Sequence, residues 1–297
     1  MGYLLLSILM NVILFIAFRT FGIWRIHIFQ AVTVNYTVCS VLSGVALWGM
    51  PLEVLWPLGE PWHFIALFLG LLFIVTFYVM GLTTRNFGIT IATIASKMSL
   101  IIPVVFGLFF LEIVTRSFDI WNYLGVVLAL TAVILTTIKG KFRIEVSLRN
   151  QWVLPAVLFL LAGGLDTLIN YTNYRYLSPE LEVAFIWMIF TTASICGLII
   201  LLIRRQPVRW RSIGGGVYLG IPNFFSMYFI LKALSAFHNN GAILFPVFNV
   251  GIIVLSTLAA LTIFKEQLLS INKLGIILAV FSVLMISYHE LLIWCNC

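Results

Sequence analysis

"GITIATIASKMSLIIPVVFGLFFLE", residues 88–112, decides how this chain is read. As a helix rising ~1.5 Å per residue, its length suits a crossing of ~30 Å of hydrocarbon. Lys97 stands near its middle, roughly 13 Å from Gly88 along the axis. An ammonium at that depth costs roughly 2.5–3.5 kcal/mol on insertion scales and persists where it faces water, a partner or a ligand. Steps of four, three and four residues back from Lys97 reach Thr93, Thr90 and Asn86, which puts a polar stripe under the cation. The adjoining face carries Ala92, Ser96 and Ser99, small enough for close helix packing. Pro103 follows and frees a backbone carbonyl one turn earlier.

The rest of the chain has the same character. Of 297 residues, 62% are hydrophobic and only 9% charged, with mean hydropathy +1.13. A soluble fold has roughly 25% charged residues, so the composition predicts an all-α polytopic membrane protein. The apolar runs are continuous rather than alternating, which argues against a β-barrel. Ten transmembrane helices are expected, at about 3–19, 27–49, 62–82, 88–111, 119–138, 152–173, 181–203, 213–235, 239–264 and 272–293. The first run has neither a basic flank before it nor a small-residue cleavage site after it, so it reads as a retained helix. The net charge of +7 sits in short loops beside the spans, as topology signals do, and no basic domain is left to bind nucleic acid. Trp56, Trp62 and Trp294 read as interfacial anchors.

The chain repeats itself. "GLTTRNFGITIA" (81–92) is answered by "ALSAFHNNGAILF" (233–245), and "YLGVVLALTAVIL" (123–135) by "KLGIILAVFSVLM" (273–285). Glu112 after the fourth span is answered by Glu266 after the ninth. The units are 1–138 and 151–297, five helices each, joined by a basic linker at 139–150. Because five is odd, the second unit enters the membrane from the opposite side. Inverted repeats of this kind let secondary transporters build two alternating gates around one midplane site.

The doubled pattern of "ALxxxxxxxxGA", a proline-bearing helix, a Glu and "LGxxLxxxxV" resembles the drug/metabolite transporter superfamily, specifically its EamA-like members with two five-helix repeats. The resemblance covers essentially the whole chain, although "FLE" (110–112) and "FKE" (264–266) replace the usual "LGE". It implies a substrate-translocating bundle and leaves the substrate open among amino acids, sugars, phosphorylated metabolites and cationic drugs. Thirteen basic residues fall in odd-numbered connections, Arg19, Arg25, Arg85 and Arg209 among them, against Arg116 and Arg175 in even-numbered ones. The positive-inside rule then puts both termini outside, where the resemblance implies the reverse.

Asp166 is the one acid in the middle of a span, on a stripe with Gly163, Asn170 and Asn173, and is the expected partner of Lys97. Thr37 on the second span, with Gln30, Thr33 and Ser40, Tyr228 on the eighth, Asn11 on the first and Asn249 on the ninth offer further polar faces. The expected substrate-binding set is Lys97, Asp166, Thr93, Thr90, Asn11, Asn170, Thr37, Tyr228 and Asn249. Glu112, Glu266, Pro103 and Pro246 are expected to pack or gate, Glu266 pairing with a basic neighbour such as Lys273.

A midplane cation and anion together suit a small polar or anionic metabolite, amino-acid-like, moved by alternating access. The alternative is a proton-coupled exporter of lipophilic cations, with Asp166 as the proton carrier, a role that Lys97 opposes. Only four histidines occur, scattered near span ends, and no zincin, nucleophile-elbow or P-loop motif accompanies them, which argues against an enzyme or primary pump. The four cysteines have no metal-ligand spacing. No cofactor or metal is expected. The expected partners are a small-molecule substrate, the lipid bilayer and a possible coupling proton. The chain is read as a multi-pass integral membrane protein, of the inner or plasma membrane if the cell is bacterial.

Overall fold

Long apolar runs punctuated by Gly, Pro and short polar connections fold into helices with few residues between them. The computed structural model describes residues 2–49, 60–106, 119–137, 152–178, 180–205, 207–236, 241–286 and 288. Among these the regular structure is helical, with no strand. The elements are α1 (Gly2–Ile23), α2 (Ile28–Ala46), α3 (Pro61–Phe87), α4 (Ile89–Lys97), a 3₁₀ turn (Met98–Leu100), α5 (Ile101–Phe106), α6 (Ile120–Thr137), α7 (Val153–Tyr176), α8 (Glu182–Ile203), α9 (Trp210–Ala236), α10 (Gly241–Thr262) and α11 (Ser270–Ile286). Six helices are long and apolar enough to cross a membrane: α1, α2, α3, α7, α8 and α9. Shorter apolar helical stretches cover Ile89–Pro103, Val247–Thr262 and Ser270–Met285. The chain is therefore a helical, multi-pass membrane protein. The 139–150 linker, Glu112, Trp56 and Trp294 lie outside the described residues.

Two boundaries differ from the sequence expectation. The third helix continues to Phe87 rather than ending near residue 82, and only Gly88 separates it from α4. Gly88 adopts φ 94°, ψ 172°, a conformation that residues with a Cβ avoid. The fourth span is also discontinuous. Pro103 supplies no N–H, and its ring crowds the carbonyl of Ser99. Ser96 Oγ donates to Thr93 O at 3.2 Å and Ser99 Oγ to Ser96 O at 2.5 Å, so hydroxyls occupy carbonyls that a regular helix would use. The chain tightens into the 3₁₀ turn at that point. Pro222 alone leaves α9 continuous.

In a membrane, apolarity does not tell inside from outside, and small or hydroxylated residues mark helix interfaces instead. Leu5, Leu9, Phe64, Phe68, Leu71 and Val75 are exposed, whereas Ser7, Thr33, Asn35 and Ser43 are buried. The α2–α9 interface shows why. On α9, Gly216 and Gly220 face α2 four residues apart. A Cβ at Gly216 would collide with Val34, and one at Gly220 would lie 2.8 Å from Val38 Cβ. Polar contacts join the same pair: Asn223 Nδ2 donates to Asn35 Oδ1 at 3.2 Å, and Cys39 Sγ to Gly220 O at 3.4 Å.

The helix contacts come in matching pairs. Helix α2 packs on α9 as α8 packs on α3, and α1 packs on α9 as α7 packs on α3. Helix α1 meets α10 as α7 meets α4 and α5. The pairs α2–α8, α6–α11 and α4–α10 map onto themselves under the same exchange. The larger core holds Phe15, Phe18, Tyr36, Phe77 and Phe190. A second one gathers Ile94, Met98 and Ile101 with Ala129, Ile253 and Ala279.

Candidate functional site

Lys97 is the last residue of α4 and half-buried. A helix C-terminus presents carbonyls without intrahelical donors and the negative end of the helix dipole, so it favours an ammonium there. The break imposed after Lys97 thus helps to hold its charge. Its Nζ lies over the Phe248 ring of α10, 5.3 Å from the centroid, a cation–π contact.

Asp166 on α7 interacts electrostatically with Lys97. Helix α7 packs on α4, which brings the two charges to one interface. They do not form a direct ion pair. Asp166 keeps solvent-accessible surface at this interface. Asn170, one turn further along α7, is also exposed. Thr93, one turn before Lys97, is fully buried, and its Oγ1 has no hydrogen-bond partner among the described residues. Asn249 is buried next to Phe248 in α10. Lys97, Asp166, Thr93, Asn170 and Asn249 therefore come from α4 and from the two helices that each pack on it, α7 and α10.

The other expected members lie elsewhere. Thr90 Oγ1 donates to Glu266 Oε2 at 3.3 Å. Thr37 shares a 2.8 Å hydrogen bond with Ser194, and Ser40 one of 2.7 Å with Thr191, so this face of α2 seals against α8. Gln30 Nε2 donates to Pro207 O at 3.1 Å. Asn11 Nδ2 donates to Ser226 Oγ at 2.8 Å and ties α1 to α9. Tyr228 is 39% exposed, stacks on Phe224 and lies under Lys232 Nζ at 5.6 Å. Trp62, at the start of α3, is 1% exposed and stacked on His63. The hydroxyls of α2 and the amide of Asn11 spend their hydrogen bonds on helix packing, which a 3.6-residue period cannot distinguish from lining a cavity.

Glu266 does not turn to Lys273. It accepts from the Ile89 backbone N–H at 2.8 Å, capping the start of α4, and sits 3.7 Å from Arg19 Nε. Arg19 Nη1 also donates to Arg85 O at 3.1 Å. This clasp joins α1, α3, α4 and the segment after α10. A Cβ on Gly88 would reach the Glu266 carboxylate. Pro246 falls in the second turn of α10 and Pro103 in α5. Sequence reasoning missed the capping role, whose partners stand 177 residues apart.

No family model matches the chain. An uncharacterized protein of Haemophilus influenzae (strain ATCC 51907 / DSM 11121 / KW20 / Rd) is 29% identical over 231 residues, 77% of each protein. A protein of known crystal structure shares the fold at TM-score 0.57 and 12% identity, covering 94% of this chain and 95% of that one.

Proposed function

We propose that the protein is a secondary transporter for a small metabolite bearing both a carboxylate and an amine, working by alternating access. The carrying observation is the Lys97 and Asp166 pair: opposite charges on packed helices, electrostatically coupled but not bonded, with Asp166 solvent-accessible. Such an arrangement leaves room for a zwitterion to insert its carboxylate towards Lys97 and its amine towards Asp166. The Phe248 ring stands against Lys97 Nζ, and Thr93 Oγ1, one turn before it, has no hydrogen-bond partner among the described residues.

The matched helix contacts support two inverted five-helix repeats within ten spans, as in EamA-like transporters. The matching fails in one place, and the failure supports alternating access. Helix α3 contacts α1 and α2, and α1 contacts α4, without comparable counterparts among α7, α8, α9 and α10. Arg19 and Glu266 also clasp α1, α3 and α4 together at the arginine-rich end. The protein is thus closed at its arginine-rich end, and the site would communicate with the other side.

Purified protein in proteoliposomes, tested against amino acids and their decarboxylated and deaminated analogues, decides the reading. Uptake or exchange of a zwitterion should fall at least about a hundredfold in Lys97→Ala and in Asp166→Asn, because each leaves one substrate charge desolvated without a partner. Unchanged transport in Lys97→Ala across the panel would sink the proposal. Efflux of a lipophilic cation that needs Asp166 but not Lys97 would replace it with the proton-coupled exporter.

A further inference from the structure

We propose that the arginine-rich end binds a phosphate group, that of an anionic phospholipid, in two adjoining cavities around Arg25. One cavity, of about 490 Å³, is lined in part by Arg25, His27, Arg85 and Arg209. The other, of about 600 Å³, is lined in part by Arg25 and Arg211. Arg25 and Ile26 belong to both, so one guanidinium stands between them. No carboxylate lines either cavity, and none of these four arginines pairs with a carboxylate among the described residues. The nearby acid, Glu266, is already engaged with Arg19 and the start of α4.

Four guanidiniums gathered without counter-charge make a strong local positive potential. His27 registers it. Desolvation, and then the charges of Arg209, Arg204 and Arg85, hold its imidazole below the usual range. Arg25 adopts φ 52°, a left-handed conformation that few side chains take up without compensation. Guanidinium forks match phosphate oxygens in pairs, which ammonium groups cannot do.

Aromatic residues of the kind that favour headgroup depth surround the cavities. Trp24, which lines one of them, packs 6.2 Å from Tyr218, and Trp210 is 85% exposed beside Arg209 and Arg211. Tryptophan and tyrosine gather where headgroups begin. Basic pockets between spans on the side rich in arginine suit anionic lipid headgroups. The same cavities are also lined by Ile23, Ile26 and Leu82, apolar surface that acyl carbons can cover.

The site has no part in the Lys97 and Asp166 chemistry, so its failure and the failure of the transport reading are separable. The experiment is native mass spectrometry of the full chain in detergent, titrated with phosphatidylglycerol and with phosphatidylcholine. Phosphatidylglycerol should be retained at least about tenfold better. The double variant Arg85→Gln/Arg209→Gln should lose roughly thirtyfold in affinity for it. Lys265→Gln/Lys273→Gln removes the same charge from exposed positions and should bind as the unmodified protein does. If the double variant is not recovered folded, Arg209→Gln alone carries the test. Equal retention of the two lipids, or full retention by the arginine variants, overturns the proposal. Inorganic phosphate provides the second arm. Displacement of the lipid by it assigns the cavities to a soluble phosphate compound, and resistance assigns them to the headgroup.

Discussion

The stretches expected to form the fourth and ninth spans pack against each other through α4 and α10, begin at matching places in the sequence, and are built differently. The ninth is α10, one uninterrupted helix from Gly241 to Thr262. The fourth is α4, a 3₁₀ turn and α5, with Lys97 at the break. The first and sixth spans differ in the same sense. Asn11 on α1 is bonded to Ser226, whereas Asp166 on α7 is accessible. One pairing, α4 with α7, carries both charges, and the matching pairing, α10 with α1, carries the neutral amides Asn249 and Asn11. The scaffold is near-symmetric and the chemistry is not. Prolines help to explain the break. A proline disturbs the turn before it. For Pro246 that turn is the opening one of α10, and for Pro103 it is the one that follows Lys97.

The largest expected effect comes from the start of the fourth span. Gly88→Ala puts a Cβ on a backbone at φ 94° and drives it into the Glu266 carboxylate. Strained backbone of this kind costs about 1–3 kcal/mol, and an uncapped buried N–H at Ile89 adds about 1–3 kcal/mol. Thermal unfolding in detergent should shift down accordingly, and the arginine-rich end should open to thiol-reactive probes at engineered cysteines. A variant as stable as the unmodified protein would mean that the clasp does not define the span.

Next comes the break itself. Pro103→Ala restores a backbone donor opposite Ser99 and should stabilise the protein by roughly 1–3 kcal/mol, the scale of proline's cost inside a helix. It should also slow transport, because a continuous helix would withdraw the carbonyl-rich end on which Lys97 sits. Pro246→Ala should change both quantities less. Equal responses at the two prolines would erase the contrast between the spans, and a stabilised variant with full transport would detach the break from function.

Much of this was legible in the sequence, and the illegible parts share a cause. The apolar runs and their lengths declared a multi-pass helical protein, and Lys97 and Asp166 were conspicuous because charge inside a span is costly. Thr37, Ser40 and Asn11 bond across helix interfaces, and a hydroxyl or amide that bridges helices has the same spacing as one that lines a cavity. Trp62, at the start of α3, is covered by protein and stacks on His63, which its position near a span end does not reveal. The Glu266 cap was invisible because its partners are 177 residues away, and local reading favoured the nearby Lys273. The sequence did hold one hint. A glycine opens the fourth span where any other residue would serve a continuous helix better.

The smallest effect separates the two roles of Glu266. Glu266→Gln keeps an oxygen to accept from the Ile89 N–H but removes the charge facing Arg19. The ion pair is 3.7 Å long, and Arg19 is 31% exposed, so solvent screens it. Its loss should cost about 0.5–1 kcal/mol, and the stability difference should shrink as salt rises. The cap should survive, since a neutral amide oxygen still satisfies the donor. Glu266→Ala removes both roles and should cost more, by about the 1–3 kcal/mol of an unsatisfied N–H. Because the clasp closes one end only, both substitutions should raise probe access there in the order Ala above Gln, without changing affinity for substrate at Lys97. Identical losses in the two variants would show that charge alone holds the start of the fourth span, and the glycine opposite the carboxylate would then lack its reason.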